Sequence, residues 1–220
     1  MRKPQFKNLI FDWSGTLVDD FPPTLEATNA VFAHHGRAAM SEGEFRETFR
    51  LPYPEFYSEQ LPGTSLEGLE IIFRTAFAAS SHVVMDLEGA REILEWGRVS
   101  GVRLFVLSSM NEDTLDEQAG RLELRDFFEG IHAGVRDKRA EIGGILAQND
   151  LVGEETAFIG DMVHDIESAA HGAVSSVAVL TGYDSEKRLQ AAKPDFVFAN
   201  LVEFLSWLQD AKRGDEMGHE

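Results

Sequence analysis

Asp12 follows the apolar run Leu9-Ile10-Phe11 and precedes Ser14-Gly15-Thr16, which sets a carboxylate at the carboxyl end of a buried strand, the edge at which open α/β sheets bind ligands. A second acidic group follows another apolar strand. In Gly160-Asp161-Met162-Val163-His164-Asp165 the two carboxylates lie four residues apart at a strand-to-helix turn, where both can face one point. Taken singly each has a plainer use: Asp12 can close a turn, Asp161 can cap the next helix and Asp165 can solvate its first turn. A third strand tip, Leu104 to Leu107, ends in Ser108-Ser109 ahead of a helix at Glu112. Hydroxyls and backbone N–H groups there make an anion seat, or simply a helix cap at Ser109 or Asn111. Lys138 opens another helix after Gly134-Val135-Arg136-Asp137 and is one of only six lysines, although an isolated lysine in that place is ordinarily solvated.

The chain has no Cys, so disulfides, thiolate metal sites and thiol catalysis are excluded together, and the chemistry has to come from oxygen and nitrogen ligands. Acidic groups do not gather without a counter-charge. A hard divalent cation, magnesium above all, is the partner that carboxylates from two strand ends call for.

The elements that must position these residues follow a simple rhythm. Apolar runs at Phe6 to Phe11, Arg103 to Leu107, Gly130 to Ala133, Ala157 to Gly160, Val177 to Leu180 and Phe196 to Phe198 read as buried parallel strands. Helical stretches lie between most of them: Leu87 to Ser100, opened by Asp86 and closed by Gly101, then Glu112 to Leu122, Lys138 to Gln148, Val163 to Gly172 and Leu201 to Lys212. Strand alternating with helix means crossovers, and hence an α/β fold with a doubly wound, mainly parallel sheet. The stretch from Pro22 to His82 breaks the rhythm. It shows helical patterns only, opened by Pro22-Pro23, by Ser41 with Glu44 as a capping box, and by Ser65. The expected organisation is a discontinuous core, residues 1–20 and 83–213, a helical cap at 21–82 and a frayed tail at 214–220. Two linkers, around Asp19-Asp20 and Ser80-Ser81, then cross one boundary and permit hinge motion.

Composition bounds what such a chain can do. Its 220 residues are 43% hydrophobic and 26% charged, enough to bury a core. The 38 acidic against 20 basic residues leave a net charge of −18, which repels nucleic acid and anionic lipid surfaces. No apolar run approaches the length of a membrane span, and the start carries no signal-type apolar segment. The expectation is a cytoplasmic protein, monomer or homodimer, without nucleic-acid or membrane partners.

Asp at the first strand, Ser at a second, Lys before a helix and Gly-Asp-x-x-x-Asp at a later strand, in that order, are far more specific together than singly. Phe11-Asp12-Trp13-Ser14-Gly15-Thr16-Leu17-Val18 with Ser108, Lys138 and Asp161/Asp165 resembles the haloacid dehalogenase superfamily of hydrolases, whose core is Rossmann-like. The insert is similar to that superfamily's helical cap, and the likeness covers roughly residues 5 to 205. It implies that Asp12 attacks a phosphoryl group and becomes an aspartyl phosphate, which water hydrolyses. It further implies magnesium held by Asp12, the main-chain carbonyl of Ser14 and Asp161. Asp165 would stand behind them, orienting a metal-bound water or Lys138. Lys138 would neutralise the nucleophile and the transferring oxygens, while Ser108, the N–H of Ser109 and Thr16 would bind phosphate.

Ser14 departs from the family pattern. Family phosphatases usually carry a second Asp there, which protonates the leaving alcohol and later deprotonates the attacking water. A hydroxyl is a poor general acid, and such catalysis supplies about 3 to 5 kcal/mol of barrier. Three explanations compete: a leaving group that needs no proton, such as an acyl or anhydride phosphate; slow turnover; or a stand-in group such as His164 or a cap residue. Phosphonate-cleaving relatives need a cap lysine, and no Lys occurs between Lys7 and Lys138. A nearly inert phosphate-binding homologue is the alternative, with dehalogenation ranked below both.

Substrate choice is expected in the cap, around Phe49-Arg50-Leu51-Pro52-Tyr53-Pro54, which resembles the specificity stretch of related caps. Arg46 and Arg50 are four apart and would share a helix face. They could grip a second anionic group of the substrate, or form a solvated ion-pair face with Glu42, Glu44 or Glu47. His34-His35 reads as a helix end rather than a metal pair, and Trp13 as core packing or a wall of the site mouth.

Overall fold

A computed structural model describes residues 5–216, with side chains described through residue 211. In chain order the elements are β1 Asn8–Phe11, β2 Val18–Asp19, α1 Phe21–His34, α2 Glu42–Thr48, α3 Tyr53–Gln60, α4 Leu66–Ala79, β3 Met85–Asp86, α5 Ala90–Ser100, β4 Arg103–Leu107, α6 Glu112–Arg121, β5 Gly130–His132, α7 Lys138–Gln148, β6 Thr156–Gly160, α8 Val163–His171, β7 Ser175–Val179, α9 Glu186–Ala191, β8 Phe196–Phe198 and α10 Leu201–Glu216.

Six strands form one parallel sheet in the order β5-β4-β1-β6-β7-β8. The strand bearing Asp12 is therefore central, with β4 on one side and the strand preceding Asp161 on the other. Side chains alternate across the pleat. Leu9 and Phe11 pack with Leu104, Val106, Ile93 and Phe204 on one face, while Ile10 packs with Phe105, Phe158, Ile142 and Ile145 on the other. Both faces are covered by helices, which is why the strands read as continuous apolar runs.

Between β2 and β3 the structure contains only helices and turns. Helix α1 begins at Phe21 with proline in its first turn. Ser41 and Glu44 form the expected capping box, the Ser41 hydroxyl accepting from the Glu44 N–H and the Glu44 carboxylate from the Ser41 N–H. Ser65 caps α4. Phe45, Phe49, Phe56 and Phe32 give these helices an aromatic core of their own.

Several expected boundaries move. The segment opened by Asp86 is not yet helix, because β3 pairs antiparallel with β2, Val18 opposite Asp86 and Asp19 opposite Met85. The chain is thus tied side by side just before it enters the helical insert and just after the exit linker around Ser80-Ser81. Helix α5 starts only after Gly89, whose backbone has a φ of +85° and lies so close to Val202 that a Cβ would meet its nitrogen at 2.7 Å. Helix α10 continues past Lys212 through Glu216, so Gly214 is helical rather than frayed, and residues 217–220 of the expected tail lie outside the described residues. Among the described residues no helix is long and apolar enough to cross a membrane.

Candidate active site

Three strand tips and one helix start converge. The Asp12 N–H donates to the Ile159 carbonyl at 2.8 Å, carrying the β1–β6 ladder up to the acid. The chain then turns back, and the Leu17 and Val18 N–H groups both donate to the Trp13 carbonyl. Gly15 makes this turn possible: its φ is +73°, and a Cβ there would lie 2.5 Å from an oxygen of Asp161. Gly160 and Gly182 leave room in the same way for the carboxylates of Asp165 and Asp161.

Carboxylate oxygens of Asp12, Asp161 and Asp165 all lie within 4.8 Å of one another, and all three residues are buried. Lys138 is not solvated as an isolated lysine would be. Its side chain is fully buried, with Nζ 2.8 Å from Asp12 Oδ2 and 2.7 Å from Asp165 Oδ1. Asp137 caps α7 by accepting from the Arg139 N–H, and His164 Nε2 accepts the Lys138 N–H at 3.1 Å, so the lysine's backbone is held as firmly as its head. Asp165 Oδ2 accepts from the Met162 N–H at 3.1 Å. Thr16 Oγ1 donates to Asp161 Oδ1 at 2.6 Å, and the Tyr183 N–H donates to Oδ2 at 2.7 Å.

Charge in this cluster does not balance by itself. Three carboxylates share one ammonium, a deficit of two positive charges. Burial and the neighbouring Asp165 charge outweigh Lys138 and push the Asp12 carboxyl up to about 6. Burial, then Asp12 and Asp165, hold Asp161 well above the usual carboxylate range. Burial works against the Lys138 charge, but the two acids together more than offset it and raise its pKa. Asp12, Asp161 and Asp165 form an all-oxygen donor set that could hold a divalent cation, which would supply the missing charge; hard carboxylate ligands of this kind suit magnesium.

Two buried groups next to the cluster were not picked out from sequence. Asp20 is fully buried at the start of α1, where its Oδ2 accepts from the Ser14 hydroxyl at 2.7 Å and its Oδ1 from the Tyr183 hydroxyl at 2.9 Å. Burial pushes its carboxyl up to about 7. The loop Thr181-Gly182-Tyr183-Asp184 follows β7 and is a fourth strand tip. Thr181 Oγ1 donates to the Gly15 carbonyl at 2.7 Å, and Asp184 Oδ2 accepts from the Val163 N–H at 2.6 Å. The signal was present in Val177 to Leu180, an apolar strand followed by Thr-Gly-Tyr-Asp, the same grammar that marked Asp12 and Asp161. Asp20 has no such signal; its neighbours come from other elements.

At the β4 tip, Ser108 and Ser109 line the same cavity as Asp12 and Ser14. The Ser109 hydroxyl is buried and unpaired among the described residues, the Ser108 hydroxyl accepts from the Met110 N–H, and Asn111 caps α6. An oxyanion seated here would satisfy Ser109. Thr16, expected at the phosphate, is instead fully buried with its hydroxyl spent on Asp161, so it orients an acid and does not reach the cavity. His164, a possible stand-in acid, is also turned away: it is 3% exposed and its Nε2 is occupied by the Lys138 N–H. Burial, then Lys138 and Arg139, bring its pKa down to about 4. Trp13 is core, with Nε1 donating to Gln118 at 2.7 Å.

The cap arginines do not act as a pair. Helix α2 ends at Thr48, and Phe49 is extended, so Arg46 and Arg50 share no helix face. Arg46 lies 3.2 Å from Glu42 and over the Phe21 ring, while Arg50 pairs with Glu59. Neither lines the cavity, but Tyr53 does, its hydroxyl 2.5 Å from Glu70. The cap is docked from the core side by Arg188 of α9. It donates to the carbonyls of Arg46 at 3.0 Å and Phe49 at 2.8 Å, where α2 ends, while paired with Asp184.

The chain is 22% identical to a phosphoglycolate phosphatase of Pseudomonas putida, over 94% of this chain and 81% of that one. It is 24% identical to a phosphoglycolate phosphatase of Synechococcus elongatus, over 90% and 94%. Among solved structures, a hydrolase from Pseudomonas syringae shares the fold with a TM-score of 0.80 at 18% identity, covering 93% of this chain and 98% of that one. Residues 9–179, from the strand that carries Asp12 through the strand that leads to Tyr183, match the haloacid dehalogenase-like hydrolase model, and the chain belongs to that family.

Proposed function

We propose that this protein is a magnesium-dependent phosphohydrolase acting on a small organic phosphate through an aspartyl phosphate at Asp12. The observation that carries the reading is the fully buried Lys138 ammonium between Asp12 and Asp165, with Asp161 beside them. Both of the relatives described above bear the name phosphoglycolate phosphatase, which supports phosphate as the transferred group.

In this reading an Asp12 carboxylate oxygen attacks phosphorus, and the ester P–O bond breaks with its electron pair leaving on the substrate oxygen, which takes a proton from water. A second water then attacks phosphorus, releasing inorganic phosphate and restoring the carboxylate. Lys138 keeps Asp12 ionised and fixed while the anionic phosphoryl group approaches. Thr16, the Tyr183 N–H and the Met162 N–H orient the remaining acids. Asp12, the Ser14 carbonyl and Asp161 would hold the magnesium ion, which would supply charge neutralisation for the transferring oxygens. Ser108 and Ser109 face that group from the β4 tip.

Ser14 lines the cavity, but its proton is directed at Asp20, and His164 faces away. With neither supplying a proton to the leaving group, turnover is slow or confined to leaving groups that need little protonation. Ser14→Asp is expected to raise phosphate release from a generic alkyl phosphate, whose leaving oxygen needs a proton, by tenfold or more in magnesium, and Asp12→Asn to abolish it. Mass spectrometry of acid-quenched enzyme should show one phosphoryl adduct on the wild-type chain. No release from wild type or Ser14→Asp across a broad phosphate panel would overturn the hydrolase reading in favour of a phosphate-binding protein. Halide release that survives chelation would point to dehalogenation.

A further inference from the structure

The cavity that holds Asp12, Ser14, Ser108 and Ser109 has a volume of about 860 Å3. That lies toward the upper end for pockets that enclose ligands of drug size, far more than a phosphate ester of two or three carbons fills. Its cap-side wall is one face of α4. Leu66, Leu69, Phe73 and Phe77 recur at three- and four-residue spacing and all line the cavity. Phe73 and Phe77 are only half-buried, with ring centroids 6.0 Å apart, and leave aromatic surface toward the space. Val84 and Met110 oppose them from the core side.

The cations on this wall already have partners. Arg74 and Arg136 both face Glu70, and Arg121 donates to the Val84 carbonyl at 2.6 Å. Independently, the Ser14 hydroxyl is spent on Asp20, which favours a leaving oxygen that departs with little help from an acid. An aromatic hydroxyl meets both conditions, being a better leaving group than an aliphatic alcohol and carrying a flat apolar body.

Resting on the hydrolase reading above, we propose that the substrate is a phosphate monoester of a bulky, apolar aromatic hydroxyl compound, its phosphate at Asp12 and its ring system on the Phe73–Phe77 face of α4. Hydrolysis replaces the aryl oxygen on phosphorus by one from water and releases the phenol and inorganic phosphate.

Phenyl, 2-naphthyl and 4-biphenylyl phosphate test this, because their leaving groups are of similar acidity and differ mainly in size. In magnesium, kcat/KM is expected to rise at least tenfold from phenyl to biphenylyl and to exceed that for 2-phosphoglycolate. The biphenylyl-to-phenyl ratio should collapse toward one in Phe73→Ala and shrink in Phe77→Leu; a ratio within one preparation does not depend on how much of it is folded. A flat or falling size series, or 2-phosphoglycolate as the best substrate, overturns the proposal while leaving the hydrolase reading intact. Calorimetric binding of 4-biphenylylphosphonate against 3-phosphonopropionate, neither of which can be hydrolysed, decides the matter without turnover. Tighter binding of the biaryl supports the assignment even if no phosphate is released and the hydrolase reading fails, and equal or weaker binding refutes it.

Discussion

Replacing Asp12 by Asn should make the chelated protein more stable while removing its response to magnesium. The Asp12 carboxyl titrates near 6 in the fold against 3.8 when unperturbed, chiefly because it is buried. A carboxyl raised in this way favours the fold only while protonated: that contribution is present below about pH 4 and is lost as pH climbs through 6. Near pH 8, keeping Asp12 ionised costs about 3 kcal/mol relative to the unfolded chain. Asparagine removes that cost but retains one acceptor oxygen. It therefore gives up one of the bonds now made to the Trp13 N–H at 2.6 Å and to Lys138 Nζ at 2.8 Å, at about 1 kcal/mol. The net gain of about 2 kcal/mol corresponds to a thermal midpoint some 4–8 °C higher for a chain of this size. Scanning both proteins in chelator at pH 8 and pH 4 should show the gain at the higher pH and its disappearance at the lower. In millimolar magnesium the wild type should rise, since the cation binds only the folded form, and Asp12→Asn should barely move. If Asp12→Asn is no more stable than wild type in chelator, or if magnesium raises both equally, the charge deficit inferred for the cluster is wrong.

Gly182→Ala would drive a Cβ into the Asp161 carboxylate, so it should cut magnesium-induced stabilisation at least tenfold in apparent affinity while circular dichroism stays native. Arg188→Gln removes a charged donor from the Arg46 and Phe49 carbonyls and the partner of Asp184; it should lower stability by about 2 kcal/mol, and limited proteolysis should cut first within the cap. His164, buried and neutral with a pKa near 4, favours the fold fully above about 6.5 and progressively less as pH falls toward 4, by at most about 3 kcal/mol. His164→Gln, which keeps an acceptor for the Lys138 N–H, should flatten that acid limb in urea titrations, and an unchanged slope would refute it.

What was legible in the sequence follows from what is local. The sheet strands announce themselves because both faces are buried, so Leu9-Ile10-Phe11 and Ala157 to Gly160 are apolar without a break, and any acid directly after them is conspicuous. Capping residues such as Ser41, Ser65 and Asn111 mark helix starts by bonding within their own turn. The two-residue strands β2 and β3 escaped because so short a pair has no periodicity, and its pairing joins Val18 to Asp86, 68 positions apart in sequence. Helix α3, opened by Pro52-Tyr53-Pro54, and the six-residue α9 are too short to show a repeat. Arg46 and Arg50 looked paired only on the assumption that α2 continued to position 50, whereas Phe49 leaves the helix to stack on Phe45 at 4.5 Å. Tertiary packing of an aromatic core overrode the spacing.

Tyr183 shows why the rest of the site could not be read from local pattern. Its backbone N–H holds Asp161, its hydroxyl holds Asp20, and its ring packs edge-on against Phe21 and beside Phe45 and Phe49 of the cap. The next residue, Asp184, joins the Val163 N–H at the start of α8 to Arg188, which in turn grips the end of α2. One loop at the β7 tip therefore fixes an acid of the charged cluster and seats the cap at the same time. A cap that swings away has to uncover the Tyr183 ring and release Arg188 from two carbonyls, so the orientation of Asp161 and the seating of α1 and α2 on the core are set by the same few contacts. That linkage places the contacts that hold the cap in the core loop rather than in the Arg46 and Arg50 side chains of the cap itself.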